Sequence, residues 1–277
     1  MFRKGIFNIL RKQKGQALLI IVLVMVVALT VGLSLASRTI INIRNTREQA
    51  SSQKALSAAE AGIEQAIKSG ANVAGSFSGN TSYSTTVTQV LGTSRFLLNG
   101  GGTVSKNDAT YVWVTPYSSN PDSLWQSPWS GDLSIYWGTS GQSCNIANNM
   151  PAAIEVSVIS GSKDAPVMTR YVFDPCQNRR AVNNFSPQTS DVPVSVAGTT
   201  LTYTATRTLT NALLVRINPI YADSIIGAYG GGAILPQQGI TITSTGTSDD
   251  NTQRKVTVFQ GYSEVPAEFF PYILFQP

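Results

Sequence analysis

The chain has 277 residues and no histidine, which removes most catalytic options at once. A Ser-His-Asp or Cys-His pair is impossible, and so is any His-ligated metal centre. The fifteen carboxylates are scattered, with no spacing that marks two of them as an acid/base pair. Asp249-Asp250-Asn251 offers oxygen ligands that suit calcium, although such a run after Gly246 reads more simply as a solvated turn. Gly230-Gly231-Gly232 lacks the Lys and Ser/Thr of a phosphate loop and reads as a flexible connector. The sequence therefore points to no enzyme, no cofactor and no metal. Two other groups of residues carry chemistry. Cys144 and Cys176 are the only thiols, and they form no CxxC. All four tryptophans, Trp113, Trp125, Trp129 and Trp137, fall within twenty-five residues punctuated by Pro116, Pro121 and Pro128. Aromatic side chains on a loop supply stiff contact area for a partner, so Trp125 and Trp129 are the candidate adhesive surface. The competing expectation is that Trp113 and Trp137 are core residues on strands.

The elements that position these residues begin with the N-terminus. Residues 1–15 hold Arg3, Lys4, Arg11, Lys12 and Lys14 and no acid, and residues 17–36 carry no charge. Thirteen of those twenty are Leu, Ile or Val. As a helix the run is about 30 Å long, the thickness of a bilayer's hydrocarbon core. Its insertion is favourable by on the order of 5 kcal/mol, an upper bound because the scale applies at the helix centre. The basic leader stays cytoplasmic by the positive-inside rule, which leaves the rest of the chain outside. The whole chain is +5, with 20 basic and 15 acidic residues. The leader alone supplies that excess, so the basic pI does not argue for nucleic acid as a partner.

Three fates are open to this N-terminus. A secretory cut would follow Ser34-Leu35-Ala36, but twenty apolar residues exceed the usual signal core. An uncut signal anchor would leave a membrane-bound surface adhesin or binding domain. A cut between Gly15 and Gln16 would keep the spanning helix on the mature chain. Beyond the span, residues 37–69 contain no Pro and only Gly62, so helix is expected to continue. Ala55, Leu56, Ala59, Ile63, Ala66 and Ile67 are spaced to form one apolar face.

A basic leader ending in Gly15 before Gln16-Ala17-Leu18-Leu19, and the wording Ala55-Leu56-Ser57-Ala58-Ala59-Glu60-Ala61-Gly62-Ile63-Glu64, resemble the N-terminus of type IV pilins, the PilX-type minor pilins in particular. The resemblance covers about seventy residues. It implies cleavage after Gly15 by a prepilin peptidase, methylation of the new amine on Gln16, and assembly with other pilin subunits through the helix. The partners implied are that peptidase, the pilus assembly platform and the inner (cytoplasmic) membrane. The implied destination is an extracellular filament or the cell surface. Most pilins carry Glu at the fifth mature position and an apolar first residue, where this chain has Ile20 and Gln16. That departure favours a minor or tip subunit over the main one.

The expected fold is α+β: a long N-terminal α-helix, transmembrane over 16–37 and amphipathic over 38–69, then a mainly antiparallel β head over 70–277. Short β-runs include Tyr111–Val114, Ile154–Val158, Thr169–Phe173, Leu201–Thr204, Leu213–Ile217, Ile240–Thr243 and Lys255–Phe259. Residues 160–164 read as a hairpin connection between two of them. Cys144 and Cys176 flank that hairpin, outside the membrane where disulfides persist, so a bridge between them is expected. The greasy end, residues 265–277, is expected to pack against the head or a neighbour.

Overall fold

The computed structural model describes residues 14–262 apart from 107, 119, 147 and 148; for 14–17 and 121 it describes backbone alone. The 265–277 segment lies outside the described residues, as does the leader up to residue 13. One helix, α1 (Lys14–Ser69), runs unbroken for 56 residues, about 84 Å at 1.5 Å per residue. It stops where Gly70 takes φ +67° and donates its N–H to the Ala66 carbonyl at 2.8 Å. A glycine with left-handed φ after the last turn is a common helix terminator, because it lacks the Cβ that makes this conformation costly.

The head holds twelve described strands: β1 (Ala74–Ser76), β2 (Ser82–Gly92), β3 (Phe96–Leu97), β4 (Thr110–Trp113), β5 (Trp129–Thr139), β6 (Ala153–Ser162), β7 (Ala165–Phe173), β8 (Val194–Val196), β9 (Thr199–Ile220), β10 (Ile226–Tyr229), β11 (Leu235–Thr247) and β12 (Gln253–Gly261). Two short helices, α2 (Pro121–Leu124) and α3 (Gln177–Asn183), interrupt them. A smaller sheet has the order β1-β2-β11-β12, and a larger one β3-β10-β5-β9-β6-β7, with β4 and β8 also on β9. Every pairing between these strands is antiparallel. The molecule is α+β with a β-rich head.

The two runs Leu201–Thr204 and Leu213–Ile217 belong to one 22-residue strand, β9. Asn211 sits at φ 50°, and the pairing register shifts beside it on both neighbours. This bulge bends the strand without ending it. Before the bulge β9 pairs β5; beyond it β9 pairs β4 and β6. The 160–164 connection is a hairpin in which Ser162 faces Ala165, leaving Lys163 and Asp164 as the turn.

The main core lies on one face of the larger sheet, where Trp137, Leu133, Ile154, Phe173, Ile217 and Ile226 are each 2% exposed or less. At its margin Cys144 and Cys176 are bridged, with Cα atoms 5.3 Å apart. Next to the bridge Asp174 is fully buried. It accepts from Arg179 on both oxygens, from the Asn183 amide and from the Cys176 backbone N–H. A carboxylate with that many donors is compensated for its lost hydration, and it locks α3 against the bridge.

The smaller sheet binds the lower half of α1. Ser51, Ala55, Ala58, Ala59, Gly62, Ile63 and Ala66 are buried on it. Leu56 and Ile67, which the spacing had assigned to the same face, are 41% and 42% exposed. Their place is taken by Ala58 and Gly62, because the sheet comes too close for large side chains. A Cβ on Gly246 would strike the Ala55 carbonyl oxygen, and one on Gly62 would strike the Ser244 hydroxyl. The other face of this sheet presents rows of hydroxyls, such as Thr86, Thr243 and Thr257 across three strands.

Gly246→Ala should lower the thermal midpoint of the head by ~5–10 °C, since overpacking costs about 1–3 kcal/mol in a domain of this size. Gly232→Ala, with nothing near its Cβ, should leave the midpoint unchanged by calorimetry. Replacing both Cys144 and Cys176 by Ser should cost about 3–4 kcal/mol in denaturant titration, given their separation of 32 residues.

Candidate functional site: the free helix and the aromatic face

From Leu18 to Ala50 every residue of α1 is exposed, and Ser51 is the first that the head buries. The apolar part of this free arm includes Leu18, Ile20, Leu23 and Met25, each 59–69% exposed. It is long and apolar enough to cross a membrane, and none of that window is buried by the head. Surface of this kind does not stay in water, so the arm fits a membrane anchor. Gly15 and Gln16 fall in the first turn of α1, at the border between the basic leader and the apolar run.

Helix and sheet are also pinned by polar contacts at the β11–β12 loop. Lys54 reaches Asp249 at 3.2 Å, and the Arg254 guanidinium donates to the Ser52 hydroxyl at 2.7 Å. Asp250 accepts from the Ser248 hydroxyl at 2.5 Å and from the Thr252 N–H at 3.1 Å. These bonds, with one from Ser51, hold its carboxyl well below the usual carboxylate range. Asp249-Asp250-Asn251 is thus a turn whose acids are engaged by hydroxyls, a backbone N–H and a lysine. Among the described residues no group of three His, Cys, Asp or Glu could hold a metal.

The glycine run is a tight turn and not a loose connector. Gly231 has φ +67°, and Cβ atoms on Gly230 and Gly231 would meet the Ala233 and Asp132 carbonyl oxygens.

The aromatic segment is mostly structural. Trp113 and Trp137 are buried, as the competing expectation held. Trp129 is buried too, 8% exposed, with its ring edge over Gly131, which corrects its assignment to an adhesive surface. It opens β5, and the alternation of that strand points its indole into the main core. Trp125 is half-buried. It lies with Tyr117 and Leu124 on a patch formed by Trp113, Leu213 and Leu214. The Thr115 hydroxyl donates to the Leu124 and Ser127 carbonyls and ties this loop down. Tyr117 meets Trp113 edge-on at 5.1 Å and stacks on Tyr262 at 4.4 Å. Burial pushes the Tyr262 phenol up.

Two recesses escaped the sequence reading. A cleft of about 310 Å³ between the sheets is lined by Asp108, Tyr111, Trp113, Gln238, Phe259 and Tyr262. Gln238 spans its floor, accepting from the Trp113 N–H at 3.0 Å and donating to the Trp113 carbonyl at 2.7 Å. A groove of about 700 Å³ runs between α1 and the β1–β2 hairpin, past Ala50, Ser57, Ala61 and Phe77. Its only signal in the sequence is the run of small residues along the helix.

Comparison with protein-family models, with curated proteins and with solved structures gives no match.

Trp129→Ala should destabilise the head by about 3–5 kcal/mol, the range for a truncated core aromatic. Trp125→Ala should cost less and leave a folded head in which surface attachment can be measured; lost attachment assigns the patch to adhesion. The Asp250 contribution is present above its ordinary value of 3.8 and is lost as pH falls below that value toward the depressed one. Asp250→Asn should therefore be less stable than wild type at neutral pH and converge with it in strong acid, read from thermal unfolding across pH.

Proposed function

We propose that this chain is a minor or tip subunit of a type IV pilus-like filament, matured by a prepilin peptidase and assembled through α1. The observation that carries the reading is the continuity of one helix whose upper arm, residues 18–50, is wholly exposed while residues 51–66 are fixed to a β head. An assembly of such arms side by side covers their apolar surface when they leave the bilayer, and the heads are carried outward. The mechanism is mechanical, with no catalytic step. The basic leader and the Gly15–Gln16 junction support cleavage ahead of the arm, and Ile20 in place of a carboxylate supports a minor role. Inner-membrane insertion with the N-terminus inside follows from the leader's charge. The head, with its half-buried Trp125 patch, would be the part that meets a surface.

The test is N-terminal peptide mass spectrometry after co-expression with a prepilin peptidase. A mature chain beginning at Gln16, lost in Gly15→Ala, is the expected result. An intact Met1 would leave a membrane-anchored surface domain and remove the filament.

A further inference from the structure

Between the apolar run and the head lies a stretch of α1 that neither the bilayer core nor the sheet accounts for. Residues 37–50 are exposed throughout and would extend about 20 Å. They hold Arg38, Arg44 and Arg47 against one acid, Glu48, whereas residues 51–277 hold twelve basic and fourteen acidic side chains. Arg44 pairs with Glu48 at 3.0 Å, with both side chains mostly exposed. Ile40, Ile41 and Ile43 stand among the arginines at 67%, 53% and 49% exposure.

This mixture fits the polar margin of a membrane. The distance from Ala17 to Ile43 along a helix is about 40 Å, the thickness of a bilayer with its headgroups. The isoleucines then fall at the headgroup level, and the long stems of Arg38, Arg44 and Arg47 carry their guanidiniums to the phosphates. Planar guanidinium matches phosphate oxygens, and clustered basic residues beside a span favour anionic lipid. The head has a slight acidic excess, so the collar and not the head supplies the attraction.

We propose that residues 37–47 form an interfacial collar that binds anionic phospholipid on the side of the membrane where the head lies. The proposal rests on the reading of the free arm as a membrane span, and it is independent of cleavage at Gly15 or of any filament. It draws the head to within roughly 10 Å of the headgroups. Loss of the collar's lipid would accompany any exit of the helix from the bilayer.

The test uses the full chain in nanodiscs, with Asn45→Cys labelled by bimane; the native cysteines are bridged and do not react. Spin-labelled phosphatidylglycerol is compared with spin-labelled phosphatidylcholine as quencher. The label sits on the collar, so anionic lipid at the leader on the other face does not contribute. The expected result is quenching roughly fivefold stronger by the anionic lipid. That preference should disappear in the variant that adds Arg38→Gln, Arg44→Gln and Arg47→Gln, and should weaken at high salt. Equal quenching by both lipids would overturn the collar while keeping the span. Absence of quenching by either would overturn the span and the collar together. Equal quenching combined with crosslinking of the collar to acidic residues of another copy would reassign the arginines to protein contact.

Discussion

The close approach of α1 to the small sheet is the contact on which the rest of the molecule depends. Gly62 on the helix and Gly246 on β11 let backbone meet backbone where any Cβ would collide, and Ala55, Ala58, Ala59 and Ala66 fill the seam. Each alanine methyl buries little, about 0.8 kcal/mol per methyl-sized group. The strength of the seam comes from its closeness and length, with Lys54–Asp249 and Arg254–Ser52 clamping its upper end. Because the lower half is fixed, the upper half is aimed: a rod about 50 Å long projects from the head, exposed along its whole length.

That arrangement separates two jobs along one chain. The arm is apolar and exposed, as a membrane anchor would be, while the head buries a core of its own. Its core is sewn by the long strand β9, which passes from β5 to the β4–β6 pair at the Asn211 bulge. Its margin is locked by the Cys144–Cys176 bridge and the buried Asp174 network. The aromatic loop, which composition marks as the most unusual part of the head, mainly seals the outer face of the larger sheet. Trp125 alone among the four tryptophans stays half-buried.

Much of this was legible because it rests on local pattern. Length and apolarity gave the arm, the lack of Pro gave its continuity to residue 69, and the Cys pair flanking a hairpin gave the bridge. What was not legible depends on contacts between segments far apart in the chain. Leu56 and Ile67 sit at the spacing of a buried face, yet Gly246, nearly two hundred residues away, sets how close the sheet comes and turns them outward. The break between Leu201–Thr204 and Leu213–Ile217 looks like a turn because Asn favours left-handed φ; only the neighbours on both edges show it as a bulge. Trp129 follows Pro128 in a stretch with loop composition, and its burial comes from the strand that begins at that residue.

The most direct measurement is hydrogen exchange followed by mass spectrometry on the full chain in nanodiscs. Amides of residues 51–66 should exchange only through the same global opening as β11, because helix and sheet form one cooperative unit. Amides of residues 44–50, exposed and beyond the headgroups, should exchange orders of magnitude faster. If residues 51–66 exchange independently of β11, or if protection is uniform from 44 to 66, the helix is not divided into a free arm and a fixed half.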